Sequence, residues 1–453
     1  MKIDLRHLAQ KKTKIAPVFI ISSAIFGLLS ACSGGDGQHR DSASSVSEGP
    51  APQTNLETLS DQENTDVTSE IVARHEAAYL DRYNRMIQVF STGAKTSSLY
   101  DTLAPIAGAT NPNRLPKAER SLLNTETIQA AIGYAGERNS EALMVLKDGE
   151  ILLEQYFEDA HAASKINGKS FAKPVGVVAV GRAIAEGHVK SLDQAAADFL
   201  TEWKDTPKAD ITIRQLLGMR SGLHQQSFSP TPDDIMNRAY LHPRHEDILI
   251  NEYPLLHEPG TRYDYSNANA ELIAPLLARA TGQPYEQWVS QQILRPLRAA
   301  GGEIWLNRDG GVAHSGCCIL LPAETFAKIG QLLLQDGVWN GARILPEGYV
   351  AQIRKPTSEN QHAGLGVYLG APFTQWRGAH NPDIDSFSTY HSAPYAADDL
   401  FLFDGNSNQV LYMVPSENLL ILRMGGTPSR EFSREQAWDN AFLPNLILKD
   451  LQN

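Results

Sequence analysis

The spacing of hydrophobic and polar positions changes several times along the chain, and each change predicts an element. The opening MKIDLRHLAQKKTK carries Lys2, Arg6, Lys11, Lys12 and Lys14 and runs into the apolar IAPVFIISSAIFGLLSA. Charge followed by a short greasy run is the layout of a signal peptide, predicted here over residues 1–31, with an unprocessed anchor helix as the alternative. Residues 32–70 have few large apolar side chains and are rich in Ser, Gly, Asp and Glu, which predicts a flexible tether. Helical spacing starts at Ile71 in IVARHEAAYLDRYNRMIQVF. Two apolar segments around Lys-Asp-Gly in EALMVLKDGEILLEQYF predict a β-hairpin.

From 174 to 300 the pattern is mostly helical, broken by Gly and Pro. AETFAKIGQLLLQDG then reads as an amphipathic helix, LFLFDG, QVLYMVP and NLLILRM as successive strands, and SREQAWDNAFLPNLILKDL as a closing helix. This order predicts an α/β protein of the α+β kind: an antiparallel sheet flanked by N- and C-terminal helices, with an inserted helical subdomain. One catalytic domain is expected over 71–453, its sheet-bearing part at about 71–165 and 301–453 and its helical part at about 166–300.

Composition narrows the partners. With 42% hydrophobic and 20% charged side chains, 453 residues can bury a large core. A net charge of −12 without a long basic run argues against nucleic acid, which demands clustered cations. The end of the apolar run, LSAC, resembles the lipobox of bacterial lipoproteins. That resemblance implies that Cys32 is lipidated as the first mature residue and tethers the protein to a membrane. Ser33 stands next to it in place of an aspartate, so the cell envelope is expected, with attachment to the outer membrane facing the periplasm.

Candidate chemistry sits at INGKSFAKPVGVVAVGRAIAEGHVKSLDQ. Ser170 is the only serine with a lysine three residues on, and on the first turn of a helix Ser170 and Lys173 share a face. A serine hydroxyl needs a base to become a nucleophile, and a lysine serves once burial depresses its pKa. The apolar run from Val175 to Val180 can supply that burial, and Pro174 suits a first turn.

Surrounding segments, GKSFAKPVGVVAVGRAIAEGHVKSLDQAAADFL, then ITIRQLLGMRSGL, then EPGTRYDYSNANAELIAPLLARATGQPYEQW, resemble in order the serine beta-lactamase and penicillin-binding protein superfamily. The resemblance covers about residues 140–450 and points to the class C-like and esterase branch, which includes enzymes like 6-aminohexanoate-dimer hydrolase. It implies that Ser170 forms an acyl-enzyme, that Lys173 and Tyr265 share its proton, and that Asn267 of the Tyr-x-Asn box positions substrate or Lys173. Taken singly, Tyr265 would equally suit a buried core ring, and Tyr263 is a poorer candidate because its box lacks the asparagine. Where the family has Lys-Thr-Gly or a His-x-Gly variant, the best alignment sets Asn406, Ser407 and Asn408, with Gln409 next to offer a backbone N–H to the oxyanion hole. A cation is missing from that box, although Arg430 or another distant cation would compensate if it folded back.

The resemblance implies a serine hydrolase acting on a small-molecule ester or amide without cofactor or metal. A D-Ala-D-Ala peptidase or beta-lactamase is the enzymatic alternative, and a catalytically silent cell-wall-binding lipoprotein is the other. Cys317 and Cys318 are adjacent, so a vicinal disulfide and two buried thiols are both open. His242 and His245 in HPRHED have no accompanying ligand motif and are expected on a solvated polar loop.

Overall fold

The computed structural model describes residues 61–92, 96–378, 388–429 and 431–452. The expected signal peptide, Cys32, most of the expected tether and Arg430 lie outside the described residues. The first helix, Asp61–Thr92, begins within the stretch expected as tether. Those ten residues, polar except for Val67, contain neither Gly nor Pro to break a helix.

Six antiparallel strands form the main sheet, in the spatial order Glu150–Tyr156, Ser140–Lys147, Leu419–Gly425, Gln409–Val414, Phe401–Gly405, Tyr368–Leu369. The first two make the expected hairpin: Asp148 and Gly149 both take positive φ, 55° and 84°, as a two-residue primed turn requires. The central strands read as continuous apolar runs because both faces are covered, and their period of two divides them between two cores. Ala142, Met144, Leu411, Met413, Leu420 and Leu422 face one core; Leu143, Val145, Val410, Tyr412, Leu419 and Ile421 face the other. On the second face lie helix Phe442–Leu451, the end of the expected closing helix, and helix Thr125–Gly136, which was not anticipated; the expected N-terminal helix packs instead against Leu241, Trp305, Cys317 and Cys318. Covering the first are helix Ala323–Leu334 and the helical region carrying Ala172–Ala185, which is buried nearly all round.

Two expectations need correction. The closing helix is broken into Arg434–Ala437 and Phe442–Leu451. Between them the buried Asn440 accepts hydrogen bonds from Tyr412 (2.9 Å) and Trp438 Nε1 (3.0 Å), and satisfying that amide interrupts the helix. His242 and His245 are not on a solvated loop: they are 6% and 0% exposed. A second, smaller sheet, with strands Leu103–Ile106, Gly302–Trp305, Ile319–Leu321 and Ile166–Asn167 in that order, was not anticipated. Its strands are too short to show periodicity, yet the last of them delivers the chain to Ser170.

Candidate active site

Ile166 and Asn167 pair with Leu321 and Leu320, and Gly168 donates its N–H to Ile319 at 2.9 Å, which fixes where the chain leaves the small sheet. Lys169 then takes φ +51°, a left-handed conformation uncommon for a side-chain-bearing residue, with its amide bonded to Asn167 Oδ1 (3.0 Å). Ser170 follows in a single 3-10 turn, Lys169–Phe171, that leads directly into helix Ala172–Ala185. The strained turn points Ser170 into a cleft lined by Lys173, Met219, Tyr263, Tyr265, Tyr368 and Asp404.

Four of the sequence-predicted residues meet there. Tyr265 donates its hydroxyl hydrogen to Ser170 Oγ at 2.6 Å, and Lys173 Nζ lies 3.3 Å from the same oxygen. Lys173 also donates to Asn267 Oδ1 and to the Gly316 carbonyl, both at 2.7 Å, and its ammonium stands 4.7 Å from the centre of the Tyr265 ring. Burial pushes the Lys173 pKa down to about 7, with Glu271 pulling the other way. For Tyr265, burial raises the pKa well above 10, so its phenol stays protonated near neutrality. Asn267 starts the short helix Asn267–Glu271, which brings its amide to the lysine.

The three residues of the expected third box, and Gln409 after them, do not sit as expected. Asn406, Ser407 and Asn408 form the turn between two strands, with Ser407 and Asn408 at φ 65° and 57°. Arg423, fully buried, holds that turn from below by donating to the Ser407 and Asn408 carbonyls at 2.6 and 2.9 Å. Asn406 is exposed, its Oδ1 accepting from Ser407 Oγ (3.0 Å), and Ser407 Oγ also lies 2.8 Å from Thr427 Oγ1. Gln409 is buried inside the ladder opposite Gly405, its side chain bonded at both ends to the backbone of Gly425.

The strand that passes the nucleophile is Phe401–Gly405. A Cβ at Gly405 would lie 3.3 Å from both the Gly168 carbonyl and the Ser170 nitrogen, so glycine permits this approach. Gly370 donates to the Leu400 carbonyl at 2.9 Å, which means that the even-numbered residues turn their backbone groups to that edge. By the same alternation Asp404 and Asn406 face it beyond the end of Tyr368–Leu369, whereas Gln409 faces Gly405 within the ladder. The segment alongside Ser170 is therefore Phe403-Asp404-Gly405, three residues before the alignment expected.

The beta-lactamase family model matches residues 126–445. The chain belongs to the beta-lactamase family. It is 23% identical over 251 residues to 6-aminohexanoate-dimer hydrolase of Paenarthrobacter ureafaciens, a match covering 53% of this chain and 60% of that protein. Curated relatives are matched over about a third to three-fifths of their length. Among solved structures it resembles EstCE1, a hydrolase with promiscuous acyltransferase activity, at TM-score 0.55 and 15% identity, covering 74% of this chain and 99% of that one. A penicillin-binding protein homologue from Caulobacter crescentus gives TM-score 0.53 at 13% identity, covering 74% and 98%. The expected mixed fold, with its antiparallel sheet and helical insertion, is the beta-lactamase and transpeptidase-like fold of these neighbours.

This beta-lactamase-family cleft contains charges that sequence reasoning missed. Asp404 lines it, hydrogen-bonded to Arg377 and, at 3.3 Å, to Asn440 Nδ2. Burial raises the Asp404 pKa while the Arg377 guanidinium opposes that rise. Arg377 is 4% exposed, stacks 3.9 Å from the centre of the Tyr368 ring, and comes from Trp376–Gly378, a three-residue strand paired with Ser388–Tyr390. A cation is thus present near the third box, but it is already paired with an acid. No local motif marks Arg377; only the acid in FDG stood close to the expected box.

Proposed function

We propose that the protein is a serine hydrolase that cleaves neutral carboxylic esters or amides through an acyl-Ser170 intermediate. The observation that carries this reading is the commitment of the Lys173 hydrogens. A neutral amine has two N–H groups and one lone pair; Asn267 Oδ1 and the Gly316 carbonyl take the two hydrogens, so the lone pair is left for the Ser170 hydroxyl. Burial supplies the neutral amine near pH 7.

As Ser170 Oγ bonds to the substrate carbonyl carbon, its proton passes to Lys173 Nζ. Tyr265, 2.6 Å from Ser170 Oγ, gives its proton to the departing oxygen or nitrogen and recovers one from Lys173 as that bond breaks. Water then attacks the acyl carbon with the same groups in reverse order, releasing the acid and restoring Ser170. The backbone N–H of Ser170 and that of Asn406, at the free edge of the strand, are the pair suited to receive the developing oxyanion. Gln409 is withdrawn from that role.

Substrate charge follows from Asp404 and Arg377. Enzymes that favour carboxylate-bearing substrates need an available cation, and a charge-assisted hydrogen bond contributes about 1.5–3 kcal/mol, or roughly tenfold to a hundredfold in transition-state binding. Here the cation is taken by Asp404 and the acid faces the cleft. With one preparation at one pH and Ser170→Ala as blank, p-nitrophenyl esters of short neutral acids should be turned over with kcat/KM above that of penicillins and cephalosporins. A cephalosporin kcat/KM far above the ester value would contradict the reading.

A further inference from the structure

Behind the catalytic lysine, three residues that the acyl-transfer reading does not use converge in the interior. His245, Glu271 and His314 are 0%, 1% and 0% exposed, and one ligand atom from each lies within 4.8 Å of the other two. Glu271 Oε2 is 3.8 Å from His245 Nε2 and 3.5 Å from His314 Nδ1. None of the six side-chain nitrogen and oxygen atoms makes a hydrogen bond; the Ser315 and Gly316 amides approach the carboxylate closely enough to favour its charge, but without an aligned bond. Buried polar atoms are paired almost without exception, so six orphans, one from each residue converging on a common point, call for a missing partner.

We infer that His245, Glu271 and His314 bind a divalent transition-metal cation of the zinc class. The separations of 3.5 and 3.8 Å are near the edge of about 3.3 Å that a tetrahedron has at Zn–N and Zn–O bonds of about 2.0–2.1 Å. Two imidazoles and one carboxylate suit zinc and its first-row neighbours, whereas Mg²⁺ and Ca²⁺ take oxygen donors. The far nitrogen of His245, Nδ1, lies 3.9 Å from Glu246 Oε2, and Glu246 is itself held by Asn307 and by Arg308 at 2.8 Å. The 3.9 Å separation is too long for a hydrogen bond as it stands, but a carboxylate behind a ligand histidine is the usual arrangement for setting its ring once metal is bound. Gly316 closes the other side, where a Cβ would lie 2.8 Å from Glu271 Oε1. The two imidazoles stack at 4.3 Å with planes 11° apart, and His314 is also stacked on Trp305 at 4.0 Å, so capture of the ion turns the His245 ring about its Cβ–Cγ bond, a motion no hydrogen bond of that ring resists.

At this depth the ion touches no substrate. It ties helix Asn267–Glu271 to the loop His314–Gly316, and Asn267 and Gly316 are the residues that orient Lys173. The inference stands apart from the acyl-serine reading, because its test measures metal and not turnover.

Full-length protein purified without a polyhistidine tag and dialysed against metal-free buffer should contain about one zinc per chain by elemental mass spectrometry. Chelation should lower Tm, Zn²⁺ should restore it, and Co²⁺ loaded in its place should show the visible absorption of a low-coordinate site. His314→Gln and Glu271→Gln should lose the metal, while His161→Gln, an exposed control, keeps it. Should the variants fail to fold, the Co²⁺ spectrum and the Zn²⁺-dependent Tm of the unaltered chain still decide. A metal-free chain whose Tm ignores Zn²⁺, Co²⁺, Mn²⁺, Fe²⁺ and Ni²⁺ would overturn the inference, as would metal retained by folded Glu271→Gln and His314→Gln.

Discussion

Lys173 carries most of the chemistry at the scale of single residues, and its environment sets a pH dependence. Its pKa is lowered to about 7 in the fold, and only the neutral amine accepts the Ser170 proton, so kcat/KM for a neutral ester should rise with pH through an acidic limb near 7. Below that limb the lysine is protonated and activity falls; a profile flat from pH 5 to 9 would remove Lys173 as the base. Asn267→Ala should cost about tenfold to a hundredfold in kcat, since it frees one lysine hydrogen and lets the lone pair turn away from Ser170. Steady-state kinetics checks this, and a change confined to KM would assign Asn267 to substrate binding. Ser170, Lys173, Tyr265 and Asn267 were legible in the sequence because their boxes are local. Asp404 with Arg377, and Glu271 with the two histidines, were not, since each set is assembled from segments far apart in the chain.

The strand pair around residues 401–414 shows what element-scale reading gains and misses. Continuous apolar runs identified both strands, and the Asp-Gly turn identified the hairpin at 148–149. Register was harder. Alignment with the family drew the third box to Asn406-Ser407-Asn408, but the pairing of Gly405 with Gln409 makes those residues a turn and sets Phe403-Asp404-Gly405 beside Ser170. Gln409→Ala should therefore act on stability, losing about 1–3 kcal/mol in denaturant unfolding as the Gly425 backbone groups lose their buried partners, with kcat of the folded fraction little changed. Gly405→Val should do the reverse, because its side chain presses on the Ser170 amide while the strand pairing survives. The opposite pattern, an inactive but stable Gln409→Ala, would return the oxyanion donor to Gln409.

For the molecule as a whole, the fold class and the two-sided sheet followed from the order of helical and strand patterns, while the small second sheet escaped because strands of two to four residues have no readable period. We propose, from LSAC alone, that the catalytic domain is held at the cell envelope by a lipid on Cys32; Cys32→Ser should shift the protein from the membrane to the soluble fraction. An intact Met1 in the mature protein would contradict that attachment. Acyl transfer through Ser170 is the claim on which the rest depends, and covalent labelling of the intact chain tests it most directly. Treated with a fluorophosphonate and mapped by peptide mass spectrometry, the protein should carry one adduct, on Ser170, formed quickly in the unaltered chain, slowly in Lys173→Ala and not at all in Ser170→Ala. An unlabelled Ser170, or ester turnover that survives Ser170→Ala, would contradict the account.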